Sequence, residues 1–415
     1  MAIRFALHDK RPPASIAEWR RLARCRLPDL AFDYIESGAD DLASVAGNTA
    51  AFGNWRLKQR CLTGIARPDL STIIAGEQLA LPVALAPTGT PGLTHWRGDI
   101  AAARAAERCG TRLILSTASS YSLEEVAEAS EASHWFQLYP FADREKVGQL
   151  VDRAKAAGYS ALFVTVDVPV VGNRESERKA GLTRPWLMTP PRIWSMLRRP
   201  AWLWGVLHHQ RVAAVHYLER QATPPPGLSR AIRGAGDDAA LSAATQARYM
   251  QADLCWEDLA WLRDRWRGRL YVKGVLDAED AARAVDGIGA EGVVVSNHGG
   301  RQLDRAVATL DALPAIAARI GNRAEVLLDG GIRRGTDVIT ALCLGASGVL
   351  IGRPWLYGLG AAGQAGVEGV LGLLRDEIER ALILMGCPSA GALDSSWLAC
   401  TSPQLHSNPG DTHAS

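Results

Sequence analysis

Cysteine is scarce in this chain and poorly spaced for pairing. The seven cysteines in 415 residues are odd in number and form no C-x-x-C motif, which argues against a disulfide framework or a zinc site. A reducing, cytosol-facing compartment is therefore expected, and no metal. Long apolar runs are missing as well: no stretch reaches the roughly eighteen consecutive apolar residues of a spanning helix. Met1 to Pro13 is polar and lacks the apolar centre of a secretion signal. Nor is there an excess of one charge. Lys+Arg 46 against Asp+Glu 44 leaves a formal +2, so the overall balance gives no reason to expect nucleic acid as a partner.

What the chain has instead is rhythm. From Leu81 onward, short apolar runs alternate with alanine-rich segments of helical period, as parallel strands and crossover helices do. Strands are predicted at Leu81–Ala86, Arg112–Ser116, Trp135–Tyr139, Ala161–Asp167, Leu270–Gly274, Gly292–Ser296, Glu325–Asp329 and Gly348–Gly352. Helices are predicted after them, for example Ile100–Cys109, Leu123–Ala129, Arg144–Ala157, Ala278–Val285, Thr336–Leu344 and Val367–Met385, several starting beside a Ser, Asp or Thr cap. Eight such units predict an α/β fold, a closed (β/α)8 TIM barrel. Residues 15–400 would form one domain between tails at 1–14 and 401–415, since barrels use such lengths without dividing. Ser15–Arg26 reads as a helix that leads into an N-terminal cover reaching Asp40. Residues 170–254 form a long insertion after the fourth strand, irregular around Ala222–Gly227.

In barrels of this kind the chemistry lies just past the strand C-termini. Polar residues fall there at every exit: Pro87-Thr88-Gly89, Ser116, Gln137 and Tyr139, Thr165 and Asp167, Lys273, then Ser296, His298 and Arg301, then Asp329-Gly330-Gly331 with Arg333, and finally Gly352-Arg353. The stretch Ser296–Asp304 is the most informative. It delivers a base and an anion clamp three positions apart: Arg301 can hold a carboxylate in two parallel hydrogen bonds while His298 takes a proton near neutral pH. A solvated loop would account for one such pair, but not for a polar exit at every strand. The glycine-rich turns carrying Arg333 and Arg353 follow the seventh and eighth strands, where phosphate-binding barrels hold a phosphate. Lys273, at the end of a buried strand, requires a negative partner. A reduced flavin or a neighbouring strand's carboxylate would each supply one. Asp167 reads as a turn cap or, as favoured here, as the carboxylate that orients His298.

Taken together, these motifs resemble the FMN-dependent 2-hydroxy acid dehydrogenase family from about Ile16 to Gly386. The likeness rests on Asp33-Tyr34 before Ser37-Gly38-Ala39, Ala86–Gly89, Trp135–Tyr139, Thr165–Asp167, Val272–Gly274, Ser296–Asp304, Asp329–Asp337 and Ile351–Arg353. It implies that FMN is held by Pro87, Thr88, Gly89, Ser116, Gln137, Thr165, Lys273 and Ser296, with Asp329, Gly330, Gly331, Arg333, Gly352 and Arg353 around its phosphate. It implies further that Arg301 and Tyr34 bind the carboxylate of a small 2-hydroxy acid, that Tyr139 meets its hydroxyl, that Arg174 is a second cation, and that His298 is the base paired with Asp167. Gly89 stands where oxidases of the family carry alanine, which implies a dehydrogenase passing electrons to a quinone or another acceptor. A soluble oxidase or monooxygenase using oxygen is the alternative. Ala118 stands where glycolate oxidase has tryptophan, leaving room for the side chain of L-lactate, mandelate or a longer acid. Relatives are commonly tetramers, so a homo-oligomer is implied.

One more absence is informative. Between Ala180 and Leu218 there is no Asp or Glu, while Arg184, Arg192, Arg198, Arg199 and Arg211 are interleaved with Trp186, Trp194, Trp202 and Trp204. Cationic groups beside indoles suit the headgroup boundary of an anionic bilayer. An insertion folded back with its tryptophans buried is the competing picture. Relatives attach to membranes through this insertion, which implies a cytoplasmic protein with peripheral contact through 180–218 on the inner face of the membrane.

Overall fold

The computed structural model describes residues 12–180, 189–209, 211–217 and 250–400. Its centre is a ring of eight strands, β1 Val83–Leu85, β2 Ile114–Ser116, β3 Trp135–Leu138, β4 Ala161–Thr165, β5 Arg269–Val275, β6 Gly292–Val295, β7 Glu325–Asp329 and β8 Gly348–Ile351. Each predicted strand is present, with ends shifted by two residues or fewer. Neighbours in sequence are parallel neighbours in space, β8 pairs with β1, and a bridge between Leu85 and Leu113 closes the ring. Such strands are buried on both faces, which explains why they read as unbroken apolar runs.

Aromatic rings fill the barrel's interior. Phe163 stacks on Tyr271 with centroids 4.6 Å apart and meets Trp135 at 5.7 Å. Beneath them a hairpin, Thr72–Ile74 with Glu77–Leu79, inserts Ile74 and Leu79 into the same apolar cluster. Its polar edge is satisfied by groups at the strand N-termini. Glu77 accepts from Arg112 at 2.7 Å, Ser160 at 2.6 Å and Trp135 Nε1 at 3.1 Å, while Glu325 accepts from Tyr271 at 2.8 Å and Ala75 N–H at 2.9 Å. The lower end is thereby sealed, and only the upper mouth is open for chemistry.

The N-terminal cover consists of helix α1 (Ile16–Arg26), capped by the Ser15 hydroxyl, and helix α2 (Asp29–Glu36), which carries Tyr34 to the mouth. Within the insertion lie α3 (Glu175–Ala180), α4 (Pro190–Leu197) and α5 (Pro200–His209). It is sutured to the barrel: Trp202 Nε1 donates to Leu93 O at 2.7 Å, and Val215 N–H to Ser119 O at 3.0 Å. Arg184, Trp186, the run Ala222–Gly227 and the tail Ser402–Ser415 lie outside the described residues.

Three expectations need revision. Lys273 sits within β5 rather than at its end, because that strand runs on through Gly274 to Val275. The helix expected over Ala278–Val285 stops at Ala282 and widens into a looser turn over Arg283–Gly287. The last helix, α6, runs from Arg353 to Met385 instead of starting at Val367, and is broken by non-helical geometry at Ala362 and Gly363. Truncating Phe163 to alanine should remove one ring from the stack and leave a cavity. The expected loss is about 3–5 kcal/mol, read as a lower denaturant midpoint; a change near zero would mean that the hairpin collapses to fill the gap.

Candidate active site

The open mouth leads to a cavity of about 860 Å3, counted with its entrance. Hydrogen-bonded side chains on neighbouring strands form its floor. Ser116 donates to Gln137 Oε1 at 2.9 Å, and Gln137 Nε2 donates to Thr165 Oγ1 at 2.9 Å. Thr165 is in register with Lys273, whose ammonium reaches Ser296 Oγ at 2.9 Å and Asp329 Oδ2 at 2.7 Å. Of the two kinds of partner considered for this lysine, a carboxylate is thus in place, but it comes from β7, two strands away, rather than from a neighbouring strand. Gln137, Thr165, Lys273 and Asp329 line the cavity, whereas Ser116 and Ser296 stand behind it and hold the lining groups.

The sixth exit is shaped by its backbone. His298, Gly299 and Gly300 all have positive φ, at 58°, 63° and 74°, a region costly for a residue with a β-carbon. The loop is held there by specific bonds. Ser296 Oγ accepts the His298 N–H at 3.0 Å, Asn297 and Asn48 exchange amide hydrogen bonds of 2.7 and 2.8 Å, and Asn297 Oδ1 takes the Gly300 N–H at 3.0 Å. In consequence the imidazole stands between Asp167, 3.0 Å from Nδ1, and the Tyr139 hydroxyl, 3.2 Å from Nε2. Burial lowers the pKa of His298 against the pull of Asp167, so the neutral ring prevails near pH 7. Burial raises Asp167, but the His298 contact and the Lys273 charge outweigh it and leave the carboxyl below its usual range. An ionised Asp167 accepts only. Nδ1 therefore carries the proton and Nε2 presents a lone pair to the cavity. Burial also raises the Tyr139 phenol, which stays protonated and can donate.

Arg301 is more fully engaged than the sequence suggests. Its Nη2 pairs with Glu177 Oε1 at 2.7 Å, and its Nη1 donates to the carbonyls of Ser37 at 2.9 Å and Tyr34 at 3.2 Å. The Tyr34 ring lies under the guanidinium, 5.2 Å from its carbon, and the Tyr34 hydroxyl donates to Gly89 O at 2.9 Å. Arg174 stands 3.6 Å from the same Glu177 oxygen and donates to Gln302 Oε1 at 3.0 Å. Glu177 is missing from the sequence-based set. Its one signal was the Arg174-x-x-Glu177 spacing at the start of α3, which puts both on one helical face. Two guanidiniums and one carboxylate, each side chain 15–17% exposed, leave one positive charge uncompensated in a largely buried place.

At the far end of the cavity, Arg333 donates to its neighbour's Ile332 O at 2.8 Å and lines the wall. Arg353 is committed to structure: it donates to Ile35 O at 3.0 Å, Gly299 O at 2.9 Å and Ser37 O at 2.8 Å, and burial pushes its pKa down to about 10. It ties α2 to the His298 loop while still bordering the cavity. Gly331, at φ 85°, admits no side chain, since a β-carbon there would lie 2.1 Å from Asn48 O. Asp167, Tyr34 and Tyr139 are thus gathered with His298 and Arg301 around one space. Pro87, Thr88, Gly89, Gly330 and Gly352 also border it.

The model for the FMN-dependent dehydrogenase family matches residues 23–400. The chain belongs to that family. It is 43% identical to an L-lactate dehydrogenase of Caulobacter vibrioides over 93% of this chain and 97% of that protein. It is 42% identical to an L-lactate oxidase of Nostoc sp., covering 93% and 98%. Among solved structures, the monotopic membrane protein (S)-mandelate dehydrogenase superimposes with a TM-score of 0.86 at 37% identity, covering 94% of this chain and all of that one. For this FMN-dependent dehydrogenase the cavity can be tested against its cofactor. Thr88 Oγ1 and Asp329 Oδ1 are buried without a partner among the described residues, although buried polar atoms are rarely left so. Hydroxyl-bearing FMN fits those atoms, and Arg333, at the cavity wall, fits its phosphate.

Glu177→Gln would leave two buried guanidiniums without their anion. Breaking such a pair costs about 3–5 kcal/mol, so the melting temperature should fall, and oxalate, a small dicarboxylate, should restore it while neutral oxamide does not. Equal effects of the two compounds would remove the argument from charge.

Proposed function

We propose that the enzyme oxidises an (S)-2-hydroxy acid to its 2-oxo acid, on the strength of one observation: Tyr139, His298 and Arg301 line the cavity that fits FMN, and Arg301 is joined through Glu177 to a second cation, Arg174. Bound FMN supplies the acceptor for two electrons. Thr88, Gly89, Gln137, Thr165, Lys273 and Asp329 would hold it, with Arg333 and the Gly330, Gly331 and Gly352 backbone at the phosphate. Pro87, Ser116, Ser296 and Arg353 would fix those groups in place.

The substrate carboxylate would neutralise the leftover charge of the Arg174, Arg301 and Glu177 cluster, with Tyr34 beside it. That pairing orients the acid so that its hydroxyl meets Tyr139 and His298 Nε2. His298 takes a proton, from the hydroxyl or from the α-carbon, and Asp167 stabilises the resulting imidazolium. Both routes leave the proton on the same nitrogen. Gly89 borders the cavity where it is tight: a β-carbon there would lie 2.8 Å from the Tyr34 hydroxyl and 3.4 Å from the Ala118 methyl. L-lactate, mandelate or a similar acid is the proposed substrate, in keeping with the names of the relatives.

The proposed acceptor is a quinone, reached from the membrane surface. Ile193, Trp194, Leu197 and Trp204 are 42–66% exposed on α4 and α5, close to Arg192 and Arg198 in the sequence. The rest of the motif is packing: Trp202 is buried, Arg199 donates to Leu27 O, and Arg211 pairs with Glu125 at 2.7 Å. No described helix is long and apolar enough to cross a membrane. The outward half suits a peripheral contact on the cytoplasmic face. An oxygen-using oxidase is the second reading, favoured by the likeness to the Nostoc protein.

Four measurements test this. Anaerobic bleaching of the flavin by a panel of (S)- and (R)-2-hydroxy acids should identify the substrate; no bleaching by any would refute the reaction, and rapid peroxide formation in air would favour the oxidase. His298→Gln should retain FMN and slow bleaching by about 10²–10⁴-fold. Because His298 is lowered from 6.5, its base form persists below that pH, so the acid limb of kcat/KM should fall below 6.5; a limb above it would contradict a neutral buried base. Replacing Ile193, Trp194, Leu197 and Trp204 together by serine should release the enzyme from anionic vesicles in a flotation assay without changing flavin reduction, whereas continued flotation would move the attachment elsewhere.

A further inference from the structure

A second opening lies on the outside of the barrel, at the seam between α5, the loop after β1 and the break in α6. It spans about 750 Å3 with its mouth. Its walls are mostly apolar: Leu27, Trp96, Trp202, Val206 and the backbone of Gly360–Gly363. Glycine keeps it open. A β-carbon on Gly205 would come 2.9 Å from the Trp96 ring, and one on Gly360 2.7 Å from Leu27.

Two polar hydrogens border this apolar space, and among the described residues neither has a hydrogen-bond acceptor. Thr94, 2% exposed, has a buried hydroxyl with no hydrogen bond among the described residues. His95 accepts the Arg97 N–H on Nδ1 at 3.2 Å, which leaves the ring proton on Nε2. Burial pushes its pKa to about 4, so the ring stays neutral. That Nε2 lies at the break, 3.1 Å from where a Gly363 β-carbon would be. An apolar slot with aromatic walls and two unpaired donors matches a flat, apolar ring that carries carbonyl acceptors.

We infer that this cleft binds the quinone, with Thr94 Oγ–H and His95 Nε2–H donating to its carbonyl oxygens. The inference rests on the reading above that the acceptor is a quinone, and two positional facts support it. The same α5 that walls the cleft through Trp202 and Val206 presents Trp204 outward, so the cleft adjoins the surface proposed to meet the bilayer. Gly89 lines the FMN cavity and Thr94 the cleft, five residues apart. Extended chain caps their separation at about 18 Å, and the turn that closes His95 N–H on Pro91 O at 3.0 Å shortens it. The exchange would balance without a further reactant: bound reduced FMN would supply two electrons and return its two protons to solvent, and the quinone would take up two electrons and two protons from solvent, leaving hydroquinone and oxidised FMN.

The test uses the FMN-loaded enzyme and decylubiquinone, with quenching of tryptophan fluorescence as the binding signal, since Trp96 and Trp202 form the walls. Thr94→Val and His95→Phe should each raise the Kd by about three- to tenfold, the size of one lost hydrogen bond, and His95→Gln, which keeps an N–H, should recover most of it. Anaerobic bleaching by the hydroxy acid should be unchanged in all three. Unaltered Kd in both Thr94→Val and His95→Phe, or no saturable quenching in the parent enzyme, overturns the assignment; an acyl chain lodged in the cleft would give the first result. Failure of bleaching in the parent enzyme would instead refute the hydroxy acid reaction, and the quenching result would still decide the cleft.

Discussion

A buried carboxylate holding an imidazole by one nitrogen is the interaction around which this molecule is arranged. Asp167 and His298 come from different strand exits, and neither is in a comfortable place. The aspartate is removed from water, with one oxygen unpartnered among the described residues, and the histidine occupies a left-handed backbone conformation. Each is tolerable because of the other and because Asn48, Asn297 and Ser296 fix the loop between them. The reward is a defined tautomer. Without the 3.0 Å contact to Nδ1, the proton could sit on either nitrogen, and the lone pair facing the cavity would be lost part of the time.

Charge is handled by the same economy throughout the mouth. Lys273 is balanced by Asp329, His298 leans on Asp167, and Arg301 shares Glu177 with Arg174. The cluster of Arg301, Arg174 and Glu177 is one anion short among the described residues, and a small acid entering the mouth would supply it. Buried cations are expensive when unpaired, so this deficit is a built-in preference for carboxylate over neutral ligands. Arg353 shows the other use of a guanidinium: with three carbonyls bound, it organises backbone more than it offers charge.

The barrel was legible because its strands are buried on both faces and separated by alanine-rich helical segments, a pattern that survives without tertiary information. The polar exits were legible for the same reason, since a strand's end fixes where the next few side chains lie. Three things were not. Glu177 escaped notice because a carboxylate on a short helix after an arginine resembles an ordinary surface pair, and only folding shows that it faces Arg301. Trp202 and Trp204 are two positions apart in a helix, so composition alone could not separate the tryptophan that packs from the one that faces outward. The early start of α6 was hidden by glycines at 358, 360 and 363, which read as loop until the break at Ala362 and Gly363 is seen.

The hairpin that seals the lower end has a kinetic meaning as well as a structural one. With one mouth among the described residues, the incoming acid and the departing 2-oxo acid of the proposed reaction would share a passage. A shared passage would let accumulated product slow the entry of fresh substrate without any regulatory site.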